Sequence, residues 1–196
     1  MRKHAIGCSL VLSLIFLVYA VGTGGFVALA AEQQNMEEQE FKIDENGLCP
    51  ELEKRIVTLL NEKLTKRQVV GKDGKEKKRK PLKVKRVLRE AARARAKEMF
   101  DNEYLGSWRA NGDSWQTIFD EEKYALKNSK DLGEFPRYKY SSGYDVNMMT
   151  AEEVVDAFEN ERTSVDDRYN CIGVGFYGET EDGSYLTFVD VIFARL

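Results

Sequence analysis

Chemistry needs groups that ionise, attack or ligate, and the supply of them in this chain is lopsided. There are 33 carboxylates and 30 lysines and arginines but one histidine, His4. Met1-Arg2-Lys3-His4, the apolar run from Ala5 to Val27 and the small residues Ala28-Leu29-Ala30 have the layout of an export signal with its cleavage site. Cleavage there leaves a chain without histidine. That excludes Ser-His and Cys-His nucleophile pairs, a histidine general base and every histidine-containing zinc site. The rival reading is an uncleaved anchor, because the run approaches the roughly 20 residues that span a bilayer. Gly22, Gly24 and Gly25 inside it, with the Ala-x-Ala site, favour cleavage.

Two cysteines remain beyond the signal, Cys49 and Cys171, in a chain bound for an oxidising space. A disulfide between them would close a long loop, worth about 4–5 kcal/mol in the chain-entropy model. The alternative is two small buried side chains that never meet. Two thiols are too few for a Cys-only metal site, so no metal is expected. Gly173-Val174-Gly175-Phe176-Tyr177-Gly178 copies the glycine spacing of a dinucleotide-binding turn. That motif works only where a helix N-terminus follows to receive the pyrophosphate. Here Glu181-Asp182-Gly183 turns the chain into another apolar strand, so no cofactor is expected. The glycines predict instead a helix lying close on the strand, or a bulge in it.

A basic run lies between Lys63 and Arg86, and Asp73-Gly74 inside it marks the tip of an exposed hairpin loop. Lys77, Lys78, Arg79 and Lys80 are its densest part, suited to anionic wall polymer or phospholipid headgroups. The competing reading is a solvated, solubilising loop. Nucleic acid is excluded as a partner, since the run has no aromatic residue to stack bases and the chain is exported.

The elements that must position these groups follow from periodicity. Residues 1–30 are the signal and 31–47 a flexible acidic leader; the domain spans 48–196. Losing Arg2 and Lys3 with the signal moves the formal charge from −3 to −5. Pro50 opens a helix to about Lys66 with Leu52, Ile56, Leu59, Leu60 and Leu64 at helical spacing. A second helix, about Val84 to Asn102, presents Leu88, Ala91, Ala92, Ala96, Met99 and Phe100 on one face, with Arg89, Arg93 and Arg95 expected on the solvated side. Ser114 caps a short helix carrying Trp115, Ile118 and Phe119. Tyr124 to Tyr144 reads as a long connection in which Tyr138, Tyr140 and Tyr144 either line a groove or pack the loop down. Thr150-Ala151-Glu152-Glu153 is a capping box before a helix that buries Val154, Val155 and Phe158. Strands at Cys171–Tyr177 and Ser184–Ala194 form an antiparallel hairpin covered by helices.

In this order and spacing the chain from about Leu59 to Arg195 resembles the CAP superfamily of secreted proteins, whose module is the SCP domain, in its short bacterial form. The resemblance rests on Leu59-Leu60-Asn61, Pro81-Leu82-Lys83, the run Ala91 to Met99, Asn102-Glu103-Tyr104, Thr150 to Phe158 and Ile172-Gly173-Val174-Gly175. It implies an α+β fold, an α-β-α sandwich with a small antiparallel sheet between helical layers. The family often carries two His and two Glu around a cleft, and some members bind zinc there. The first His falls on Ser107, the first Glu, in a Gly-Glu-Asn unit, near Tyr144, and the second Glu on Glu161; Arg162 to Asn170 holds no counterpart of the last His. One surviving carboxylate makes no tight divalent site.

These observations predict a secreted, non-enzymatic, surface-associated CAP-like domain binding an envelope polymer, a lipid or an extracellular protein. The binding would use the degenerate cleft, the basic loop, or both. Any membrane contact is transient or through an uncleaved signal. A second reading is a carrier of a small hydrophobic ligand such as a sterol or fatty acid, with Trp108, Trp115 and the tyrosine-rich segment as lining. The third is an envelope hydrolase using Asp145, Asp156 or Glu161, which needs two carboxylates at a defined separation that no spacing here provides.

Overall fold

Pro50 begins helix α1 (Pro50–Thr65) where a missing N–H costs nothing, and Leu52, Ile56, Leu60 and Leu64 form its buried stripe. A two-stranded hairpin follows, β1 (Gln68–Val70) and β2 (Glu76–Lys78), in antiparallel register with Val69 opposite Lys77. Strand β3 (Lys83–Val84) leads into α2 (Arg86–Asp101). Two 3-10 turns at Trp115–Asp120 and Glu122–Tyr124 precede β4 (Leu132–Ser141). Then come α3 (Ala151–Asn160), β5 (Cys171–Glu181) and β6 (Ser184–Ala194). The computed structural model describes residues 41–70, 74–126, 129, 131–143, 146–161 and 168–196. The segment expected to be a signal lies outside them, as do Tyr144, Asp145 and the stretch 162–167.

The main sheet has the order β3-β5-β6-β4, antiparallel except for the short parallel pairing of β3 with β5. On one face α1 and α3 bury Ile56, Val155 and Phe158 against Ile172, Val174, Phe176 and Val191. On the other, α2 sets Leu88, Ala91 and Ala92 on Cys171, Ile192 and Ala194. Alternation along β5 therefore divides its side chains between two helical layers, as the α-β-α expectation requires. Each fully buried Leu, Ile or Phe contributes about 1.5–3 kcal/mol. Phe41 and Ile43 pack on the first of these cores, so the folded unit takes in the end of the stretch read as a leader.

The glycines of β5 do what close packing demands. A Cβ on Gly173 would overlap the backbone of Leu88 and Arg89, and one on Gly175 the backbone of Ala92 and Arg93. Glycine beneath and alanine above let α2 lie directly on the strand. The capping box is complete: Thr150 Oγ1 accepts from the Glu153 amide at 3.1 Å, and Glu153 Oε2 accepts from the Thr150 amide at 2.8 Å.

Two expectations are corrected, and of the two readings of the cysteines one is found. The connection from Tyr124 to Tyr144 contains the ten-residue strand β4. It closes one side of the sheet, and Pro136, lacking an N–H, suits such an edge. The arginines of α2 are not all solvated: Arg95 is 0% exposed, and Arg93 is ion-paired with the buried Glu53 of α1. Cys49 and Cys171 are both buried and free. Cys49 belongs to the core shared by α1 and α3 and Cys171 to the core under α2, on opposite faces of the sheet.

Candidate functional site

The loop after α2 carries Ser107, and its shape is dictated by Arg95. Inside the protein this guanidinium donates from Nε to Glu134 Oε1 at 3.0 Å and from Nη1 to the Tyr104 hydroxyl at 2.8 Å. Nη2 donates to the carbonyl of Gly106 at 2.9 Å. Glu98, one turn further along α2, accepts from the Ala110 amide at 2.7 Å and pairs with Arg109 at 3.1 Å. The carbonyl of Ser107 accepts from the Trp115 amide at 3.0 Å. Two α2 side chains thus fix the 104–110 segment, and Ser107 presents its hydroxyl beside Glu134, outside strict hydrogen-bond geometry.

Behind Ser107 the electrostatics are those of a buried, under-compensated cluster. Arg95 faces two interior carboxylates, Glu134 on β4 and Asp190 on β6, which share a face of the sheet. Glu134 Oε2 and both Asp190 oxygens are buried without hydrogen-bond partners. Burial pushes the Asp190 carboxyl well above the usual carboxylate range, helped by Glu134 and opposed by Arg95. Burial also raises Glu134, against the pull of Arg95 and Ser107. For Glu98 burial acts upward, but the Ala110 amide, Arg95 and Arg109 outweigh it and hold the group low. Such a cluster orders a loop. It offers Ser107 no imidazole, because residues 41–196 contain none.

Glu161, the other family position described, lies elsewhere. It caps the C-terminus of α3 and pairs with Arg137 of β4. Arg137 is opposite Val189, on the face covered by α1 and α3, whereas Glu134 is opposite Ile192 on the α2 face. Ser107 and Glu161 are therefore on opposite sides of the sheet, and Tyr144 lies outside the described residues. The zinc-type set implied by the resemblance is not assembled by these positions. Among the described residues no three His, Cys, Asp or Glu side chains converge to hold a metal ion. The candidate hydrolase acids are dispersed as well: Asp156 pairs with Lys63 at 2.9 Å, Glu161 with Arg137, and Asp145 lies outside the described residues.

Sequence reasoning missed Arg95, Glu134 and Asp190. Glu134, which follows Gly133 at the start of β4, lies beside Ser107. Of the tyrosines, Tyr138 is exposed and stacks on Phe188 with ring centroids 5.7 Å apart, and Tyr140 is exposed beyond it. Trp115 is buried under α2, while Trp108 is 65% exposed, so they do not line one cavity.

The basic hairpin projects from the helical layers. Lys77 and Lys78 on β2 and Lys80 after it are exposed, as is Val70 near the tip. Arg79 departs from the expectation: it is 7% exposed, its amide bonds the carbonyl of Arg67 at 3.3 Å, and it cannot reach an outside surface. No described helix is long and apolar enough to cross a membrane.

No family model and no curated protein matches the sequence. Solved structures do match in shape. An extracellular protein containing an SCP domain from Bacillus anthracis superposes with TM-score 0.50 at 14% identity, over 75% of this chain and 41% of that one. This chain thus spans less than half the length of that protein. An outer surface protein of Borrelia burgdorferi superposes with TM-score 0.53 at 15% identity, over 74% of this chain and 92% of that one. With helices on both faces of the four-stranded sheet, the chain has an SCP/CAP-like fold.

Proposed function

We propose that the protein is an exported, non-catalytic SCP-fold domain that attaches to anionic cell-envelope material through the β1–β2 hairpin. The observation that carries this reading is the exposure of Lys77, Lys78 and Lys80 on the β1–β2 hairpin of an acidic protein; it is supported by Ser107 and Glu161, two of the three cleft positions implied by the resemblance, lying on opposite sides of the sheet. The extracellular and outer-surface character of the two structural neighbours supports the location. Each lysine near an anionic surface contributes about 1 kcal/mol, falling off within a Debye length of about 8 Å at physiological salt. Anionic vesicles and isolated envelope should retain the wild-type chain at about 0.05 M salt and release it near 1 M. Lys77→Ser, Lys78→Ser and Lys80→Ser combined should lose retention by about two orders of magnitude. Undiminished retention of that variant at low salt would refute the hairpin.

A further inference from the structure

Trp108 keeps its indole in the open, 65% exposed, on a loop tied down from beneath. The Ser107 carbonyl accepts from the Trp115 amide at 3.0 Å, and the Asp113 carbonyl from the Arg109 amide at 2.8 Å. Trp108 and Ser114 therefore face each other across the bridge of a short hairpin, with Gly112 at φ +87° in its turn. Successive side chains of such a hairpin alternate between its faces. Arg109 and Trp115 take the inner face, the first paired with Glu98 at 3.1 Å and Glu121 at 2.9 Å, the second buried under α2. Trp108 and Ser114 take the outer one.

Arg95 and Glu98 of α2 thus hold the segment that sets the indole out, through the Gly106 carbonyl and the Ala110 amide. A contact group on so fixed a support loses little freedom when it binds. Its size limits the partner: an indole offers at most about 250 Å², against about 800 Å² from each side of a standard protein interface. Charge limits it further. Between Ser107 and Gln116 the ionised side chains are Arg109, which is turned inward, and the exposed Asp113, so an anionic polymer or headgroup is repelled. What remains beside the ring is neutral and polar. The Ser114 hydroxyl accepts the Gln116 amide at 3.5 Å and keeps its own proton to donate, and Gln116 is exposed with a side chain that can both donate and accept.

We infer that Trp108 is the stacking platform for an uncharged pyranose of a β-1,4-linked glycan, with Ser114 and Gln116 bonding the hydroxyls at its rim. The C–H face of such a ring meets the negative face of the indole, and one sugar covers it. This contact is separate from the β1–β2 lysines and goes beyond the anionic attachment proposed above, because stacking on a neutral ring is insensitive to salt.

Titration calorimetry of the full chain with chitotetraose, cellotetraose and phosphatidylcholine vesicles tests this. At least one tetrasaccharide should bind with Kd about 1 mM or tighter, and the affinity should change less than about twofold between about 0.05 and 1 M salt. Trp108→Ala should weaken that binding about tenfold or more, while Trp108→Tyr, which keeps an aromatic face, should retain most of it. Emission from the buried Trp115 reports that both variants are folded. The β1–β2 triple-serine variant should bind sugar as the wild type does, so loss of envelope retention and loss of sugar binding are read apart. Binding of neither sugar up to about 10 mM, release by salt, undiminished binding in Trp108→Ala, or a loss in Trp108→Tyr as complete as in Trp108→Ala would overturn the inference. So would an indole that buries itself instead in the vesicles, or in a second copy of the chain as read by sedimentation.

Discussion

Glu53 of α1 and Arg93 of α2 meet through two hydrogen bonds, of 2.7 and 2.6 Å, around the edge of the sheet that separates their helices. Because the same carboxylate accepts the Phe176 amide of β5, one side chain ties both helical layers to the strand between them. Glu53→Ala strands a guanidinium and a buried amide at once. Removing one partner of a buried pair costs about 3–5 kcal/mol, and Arg93, partly exposed, recovers some of that in water. The expected loss is about 2–4 kcal/mol in urea unfolding; a loss under about 1 kcal/mol would show that packing alone fixes the layers.

Gly175 should be intolerant for a different reason. Its position under Ala92 and Arg93 leaves no room for a methyl group, so Gly175→Ala must push α2 away from β5. Overpacking of this kind costs about 1–3 kcal/mol. Gly106, with nothing within 4 Å of an added Cβ, is the control. Gly106→Ala should change the unfolding midpoint little, and equal effects at the two sites would contradict the close approach of helix and strand.

The same contrast shows what was legible beforehand. The glycines at 173 and 175, the capping box at Thr150 and the stripe of α1 are local patterns whose physics is complete within a few residues. Strand β4 was not, because Glu134, Pro136, Arg137 and Lys139 give it the composition of a loop. Its hydrophobic contribution to the core is chiefly Phe135, and the opposite face is completed by Arg95, a partner 39 residues away. Tyr138 and Tyr140, two apart, were the available sign of a strand. Arg95 itself lies on the buried spacing of Leu88, Ala92 and Met99, but its charge argues for solvent until Glu134 is known to face it. Ser107 and Glu161 were found from order along the chain, and order does not say which face of a sheet a residue occupies.

The cysteines give a chemical check. Cys49 and Cys171 are buried in separate cores, and burial, the largest influence on it, raises the Cys49 thiol above its usual range. In the native protein Cys49 and Cys171 should therefore stay thiols in an oxidising buffer and resist a thiol reagent at pH 8. Both should label in denaturant. A mass 2 Da short of the reduced chain would show that they bond.

The pH dependence of stability should be dominated by Asp190. Its folded-state value is raised above the ordinary 3.8, first by burial and next by Glu134, with Arg95 of α2 acting against the shift. Gly175 on β5 and Pro136 on β4, its partners across the strands, bring no charge. Below the ordinary value the carboxyl is protonated both folded and unfolded, and Asp190 adds no slope. As pH rises through that value the unfolded chain releases the proton while the folded chain keeps it, so the folded state binds more protons and stability falls. The fall is at most about 1.4 kcal/mol per pH unit and stops once the folded carboxyl has ionised. Asp190→Asn keeps the shape and removes the proton, so its stability should match the wild type near pH 3 and exceed it increasingly above about pH 4. Urea midpoints of the two proteins at pH 3, 5 and 7 decide the matter. Parallel curves would mean that Asp190 is ionised in the fold and that Arg95 neutralises it outright.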